Sequence, residues 1–141
     1  MTAEINRPRP VSSGLISAAL WVLQALLAVA FAFVGWSKLT KSIGDVRQAV
    51  SWMVDVPPTL VRLIGVCELL GAIGLVLPAA TRIRPQLTAL AATCLTAIMV
   101  LAVMFHLYRG DTVIIIVPTL LGFTAALVAW GRLRKAPIAP R

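Results

Sequence analysis

Residues 60–78, Leu-Val-Arg-Leu-Ile-Gly-Val-Cys-Glu-Leu-Leu-Gly-Ala-Ile-Gly-Leu-Val-Leu-Pro, form an apolar run long enough to cross a bilayer, with one carboxylate, Glu68, near its middle. An ionisable group at that depth costs roughly 2.5–3.5 kcal/mol on insertion scales. It is tolerated only where it faces protein or water and finds a partner. Helical neighbours three or four residues apart share a face, which puts Val61, Ile64, Gly65, Gly71, Ala72 and Leu75 on the side of Glu68. The small residues in that set admit a second backbone at close range. Glu68 is therefore expected to point into a helix bundle.

The remainder of the chain supplies the bundle. Of its 141 residues, 60% are hydrophobic and 13% charged, against about 45–50% and 25% in soluble domains. The apolar residues fall into four runs of about 20 residues, the length that crosses the hydrocarbon. The expected spans are Gly14 to Leu39, Thr59 to Leu77, Pro85 to Tyr108 and Thr112 to Gly131. The fold class read from these runs is all-α: a polytopic four-transmembrane-helix bundle over residues 14–131, between a tail at 1–13 and a basic, mobile tail at 132–141. Within the first span, Gln24, Ala28, Phe31, Gly35 and Lys38 line one stripe, the side expected to face the bundle. Between spans one and two, Ser42 to Val54 has Ile43, Val46, Val50 and Met53 at helical spacing opposite Arg47, Gln48 and Ser51. This segment reads as a short amphipathic helix lying on the membrane surface.

Charge sets the orientation. Both tails and the Arg82/Arg84 turn carry eight basic residues against Glu4, a net of +7, whereas the opposite side nets +1. Basic residues collect on the cytoplasmic side, so both termini are expected there. The overall net charge of +8 alternates with the apolar runs and forms no base-reading face, which argues for contact with membrane lipid and against nucleic acid. The two cysteines, Cys67 and Cys94, lack paired spacing and read as packing residues rather than a redox pair or metal ligands.

With this orientation three ionisable side chains converge. Glu68 lies roughly 13 Å below the outer end of its span, at ~1.5 Å per residue. Lys38 closes the first span and His106 nearly closes the third. Helical side chains lean toward their own N-terminus, so Glu68 leans outward while Lys38 and His106 lean inward. Leu95, Met99 and Ala102 share the His106 face. Glu68, His106 and Lys38 are thus candidates for a ligand or proton-relay site in the outer half of the bundle, with Glu68 paired to His106 or to Lys38. The same residues also suit a purely structural pair that holds helices in register. One histidine, with Met99 two turns away on the same helix, cannot clamp a haem iron from both sides. One histidine and one glutamate at different depths make a poor zinc site. No catalytic residue, metal or cofactor is evident from these residues.

Gly35-Trp36-Ser37-Lys38-Leu39, Ile64-Gly65-Val66-Cys67-Glu68-Leu69-Leu70-Gly71, Leu77-Pro78 before the basic turn, and Phe105-His106 resemble, in order and spacing, the DoxX-like family of small bacterial four-helix membrane proteins. The resemblance implies Lys38, Glu68 and His106 as signature polar positions. Relatives are linked to a thiosulfate:quinone oxidoreductase subunit, to a mycobacterial membrane-associated oxidoreductase complex and to maturation of redox enzymes. By that resemblance the expected function is a redox-associated component of the bacterial inner membrane that binds a quinone-like lipophile or anchors a redox protein partner. The alternative is a non-enzymatic scaffold or a small-molecule permeation unit, the latter marked by a homo-oligomer with a continuous polar path.

Overall fold

A computed structural model describes residues 11–42, 44 and 56–141, with side chains described from residue 14 onward. Its elements are helices, without strands among the described residues: α1 (Val11–Thr40), α2 (Pro58–Thr81), α3 (Gln86–Arg109) and α4 (Ile116–Trp130). A π-helical turn, Gly131–Lys135, continues α4 and completes a fourth apolar span of 20 residues, Ile116–Lys135. All four are long and apolar enough to cross a membrane, as the sequence leads one to expect. The amphipathic segment expected at Ser42 to Val54 lies, apart from Ser42 and Gly44, outside the described residues.

Local chemistry explains the helix ends. Pro58 opens α2, where its fixed φ suits a first turn and its missing N–H loses nothing. Gly110, at φ 77°, closes α3 in the left-handed region. There the N–H groups of Gly110 and Asp111 donate to the carbonyls of Leu107 and His106. Pro78, expected to end the second span, instead lies inside α2, which runs on to Thr81. Transmembrane helices tolerate proline because neighbouring helices and side chains re-satisfy the freed carbonyl.

Helices adjacent in sequence pack together, α1 on α2, α2 on α3 and α3 on α4, and α1 closes lightly on α4. The core is built from Leu20, Leu27 and Phe31 of α1, Leu75 of α2, Leu95 and Met99 of α3, and Val128 of α4, with alanines between them. The outside is equally apolar. Leu26, Phe33, Leu70, Leu101, Leu120 and Phe123 are exposed, which is the surface a helix bundle presents to lipid tails. Cys67 and Cys94 are free thiols on this exposed surface rather than core packing residues.

Between α1 and α2 the approach depends on two glycines. A Cβ on Gly35 would meet the Gly65 carbonyl oxygen at 2.8 Å, and one on Gly65 would meet Lys38 Cβ at 2.9 Å. Small residues let transmembrane backbones come this close. Here they bring the two helices together beside Lys38 and Glu68.

Candidate functional site

On α1, the stripe Gln24, Phe31, Gly35 and Lys38 faces inward, with Ala28 half-buried beside it. On α2 the inward face is Val61, Gly65, Glu68, Gly71, Ala72, Leu75 and Ala79. The antiparallel crossing at Gly35 and Gly65 sets Lys38 opposite Glu68. Lys38 Nζ donates to both carboxylate oxygens, at 2.6 Å to Oε1 and 2.7 Å to Oε2. Both side chains are shut away from solvent, with Lys38 6% and Glu68 2% exposed. Of the two partners the sequence leaves open for Glu68, the structure selects Lys38.

Arg62, one and a half turns before Glu68, was not singled out by sequence reasoning. Its Nη1 donates to the Lys38 carbonyl oxygen and its Nη2 to that of Lys41, 3.0 Å away. These are carbonyls that the last turn of α1 leaves without an intrahelical donor. A guanidinium at a helix C-terminus also complements the negative end of the macrodipole. Arg62 thus fastens the end of α1 that carries Lys38. The available signal was a lone cation in the first turn of an apolar helix.

His106 is buried in the last turn of α3. Its ring stands edge-on to Phe105, centroids 5.7 Å apart, and its Nδ1 is 3.6 Å from Asp111 Oδ2. Asp111, on the α3–α4 turn, also accepts a 2.8 Å hydrogen bond from Arg109 Nε. That hydrogen bond, with the charge of Arg109 and the nearby His106, holds the Asp111 carboxyl below the usual carboxylate range.

These two polar groups border one cavity of about 610 Å³. Lys38, Glu68 and His106 all line it, in otherwise apolar walls that include Phe31, Met99, Phe105 and Pro118. Leu60, Leu101 and Val117 line the same cavity and are exposed on the outer surface of the bundle, so the cavity communicates with the lipid side. Chemically, it offers a shape for an apolar body, an ammonium and an imidazole as hydrogen-bond donors, and a carboxylate able to take up a proton. The three residues named from spacing and side-chain lean therefore share one cavity, with Lys38 and Glu68 in direct contact and His106 turned to Asp111.

A family model described as the DoxX-like family matches residues 22–128. The chain belongs to the DoxX-like family. The match takes in Lys38, Glu68 and His106 and stops short of Arg132. No curated protein and no solved structure matches the chain. This DoxX-like protein is thus an integral membrane protein of four apolar helices, with Gln24, Lys38, Glu68, Thr88, His106 and Arg132 buried inside the bundle.

Proposed function

We propose that this DoxX-like protein binds a quinone-like lipophile in the cavity between its helices and serves as a redox-associated component of the bacterial inner membrane, with both termini cytoplasmic. The observation that carries the reading is the cavity of about 610 Å³, apolar except where Lys38, Glu68 and His106 meet it. Ligand sites of roughly 300–1,000 Å³ with a few convergent polar groups are the usual form of small-molecule sites. A quinone ring has two carbonyl acceptors and an apolar tail. The Lys38 ammonium carries three protons and directs two hydrogen bonds to Glu68, which leaves one donor for a ligand carbonyl. His106 is the second donor on the cavity wall, and Glu68 is the group placed to exchange a proton. The apolar tail would leave past Leu60, Leu101 and Val117 toward lipid. Such a component would deliver the lipophile to an oxidoreductase partner or anchor that partner at the membrane.

A scaffold reading rests on a different observation. Arg62 and the Lys38–Glu68 pair tie α1 to α2 at both backbone and side-chain level, which is what a purely structural clamp does. Mass spectrometry of the protein purified in mild detergent separates the two. The lipophile reading expects a quinone-class species to co-purify with the wild type and to be lost from a folded Glu68→Gln variant. Equal recovery from both proteins, or none from either, favours the scaffold.

A further inference from the structure

At the opposite end of the bundle from the cavity, Arg132 is turned inward although it follows the last apolar run. Only 5% of it is exposed. Its Nε donates to Gln24 Oε1 at 2.6 Å, and Gln24, fully buried, donates in turn to the Leu75 carbonyl oxygen at 2.7 Å. Its Nη1 reaches Ser17 Oγ at 3.3 Å and the Ala136 carbonyl at 3.4 Å, and its guanidinium lies over the Trp21 ring, 5.5 Å from the centroid. The π-helical turn Gly131–Lys135 is the local cause. It departs from the α-helical register at Arg132, and such turns recur at functional sites.

Among the described residues this arrangement holds no acidic side chain. The partners of Arg132 among the described residues are an amide, a hydroxyl, a carbonyl and an aromatic face, all neutral, and its buried Nη2 has no hydrogen-bond partner there. Among the described residues the acidic side chains are Glu68 and Asp111, both held by cations at the other end. A buried charge without a counter-ion is expensive. Ser17 and Trp21, which contact Arg132, are also walls of a pocket of about 310 Å³, and Arg82 is a third wall. The C-terminal segment closes it through Pro137 and Ile138 and is held by a hydrogen bond from Arg141 N to the Arg82 carbonyl, 3.3 Å.

We propose that this pocket binds a phosphate group, with Arg82 as the cation on its wall, Arg132 behind Ser17 and Trp21 as a second positive charge, Ser17 as a hydroxyl donor and Trp21 as the apolar wall. The source the position favours is the headgroup of an anionic phospholipid, since the pocket sits where the spans end and an aromatic ring is at the interface. Free inorganic phosphate offers the same chemistry. The site is separate from the cavity and independent of its ligand.

The full chain, reconstituted in phosphatidylcholine vesicles with spin-labelled phosphatidylglycerol or spin-labelled phosphatidylcholine at trace level, gives the relative association of the two lipids by electron paramagnetic resonance. The assay is run at 0.5 M salt, where long-range attraction by exposed charges is largely screened and direct contact within the pocket, including that of Arg82 on its wall, is screened much less. The wild type is expected to prefer phosphatidylglycerol. Arg132→Gln and Arg82→Gln should each lower that preference about fivefold, while Arg134→Gln, which removes an exposed charge nearby, should not. Arg82 lies on an exposed turn, so its variant reads the site even if Arg132→Gln fails to fold. Saturable binding of inorganic phosphate in neutral detergent that both variants lose, without a lipid preference, would keep the site and assign it a soluble source. A preference that survives both variants, or that Arg134→Gln lowers equally, would overturn the proposal, as would the absence of both lipid preference and phosphate binding.

Discussion

Lys38 and Glu68, thirty residues apart in sequence and on different helices, meet with the lysine ammonium 2.6 and 2.7 Å from the two carboxylate oxygens, out of reach of solvent. Removing one partner of a buried pair leaves an uncompensated charge and costs about 3–5 kcal/mol, whereas replacing both with apolar residues of similar size is often neutral or better. Lys38→Met alone is accordingly expected to destabilise the bundle by about that amount. The double variant Lys38→Met with Glu68→Leu should recover most of the loss. Steric-trap unfolding in bicelles measures both. A double variant no more stable than the single one would show that the pair is not the coupled unit described.

The Gly35–Gly65 crossing sets the distance across which that pair forms. Gly35→Ala places a methyl group against a carbonyl oxygen at 2.8 Å, and backbone cannot yield as a flexible side chain can. Overpacking of this kind costs about 1–3 kcal/mol. Gly14→Ala meets nothing within 4 Å and should be neutral or slightly stabilising. Thermal melts of the two variants in one detergent make the comparison. Equal melting temperatures would mean that the helices do not depend on the close approach.

The α3–α4 turn is expected to loosen in acid. Asp111 is held below its ordinary value, first by the hydrogen bond from Arg109, so its folded pKa lies under the unfolded one of about 3.9. The stabilisation it gives is therefore complete above the unfolded value and is lost as pH falls through the lowered folded value. A spin label at Val113, exposed on the same turn, should gain mobility below about pH 4 in the wild type. In Asp111→Asn the label should be mobile at every pH. A wild-type label unaffected down to pH 2 would count against the Arg109–Asp111 tie.

Cysteine labelling tests the proposed orientation. With net charges of +7 and +1 on the two sides, Thr2→Cys should be protected from a membrane-impermeant maleimide added outside, and Gly44→Cys should react. The reverse pattern would invert the topology and move the cavity to the cytoplasmic half.

Most of the bundle was legible because a bilayer leaves few choices. Apolar runs of about 20 residues must be helices, and the 3.6-residue period then places Glu68 inside with Gly65, Gly71, Ala72 and Leu75. Lys38 was legible as one of two candidate partners, with His106, because antiparallel helices with opposite side-chain lean bring the end of one span toward the middle of the next. The choice of Lys38 comes from the Gly35–Gly65 crossing, which only the structure shows. The site of Arg132 was not legible. An arginine after an apolar run has the same sequence signature whether it rests among headgroups or turns inward to Gln24, and the π-helical turn that decides between them has no signal of its own. Pro78 misled for a related reason: the rule that proline ends a helix belongs to water, and α2 continues past it.

The most direct test of the lipophile cavity is titration of the purified protein with a short-chain quinone, followed by quenching of tryptophan fluorescence, in the wild type and in the Lys38→Met, Glu68→Leu double variant. The double variant restores apolar packing between α1 and α2 while removing the ammonium and the carboxylate from the cavity. Saturable binding by the wild type and at least tenfold weaker binding by an equally stable double variant is the expected result. Binding of equal strength by the two proteins, or no saturable binding by the wild type, would contradict it.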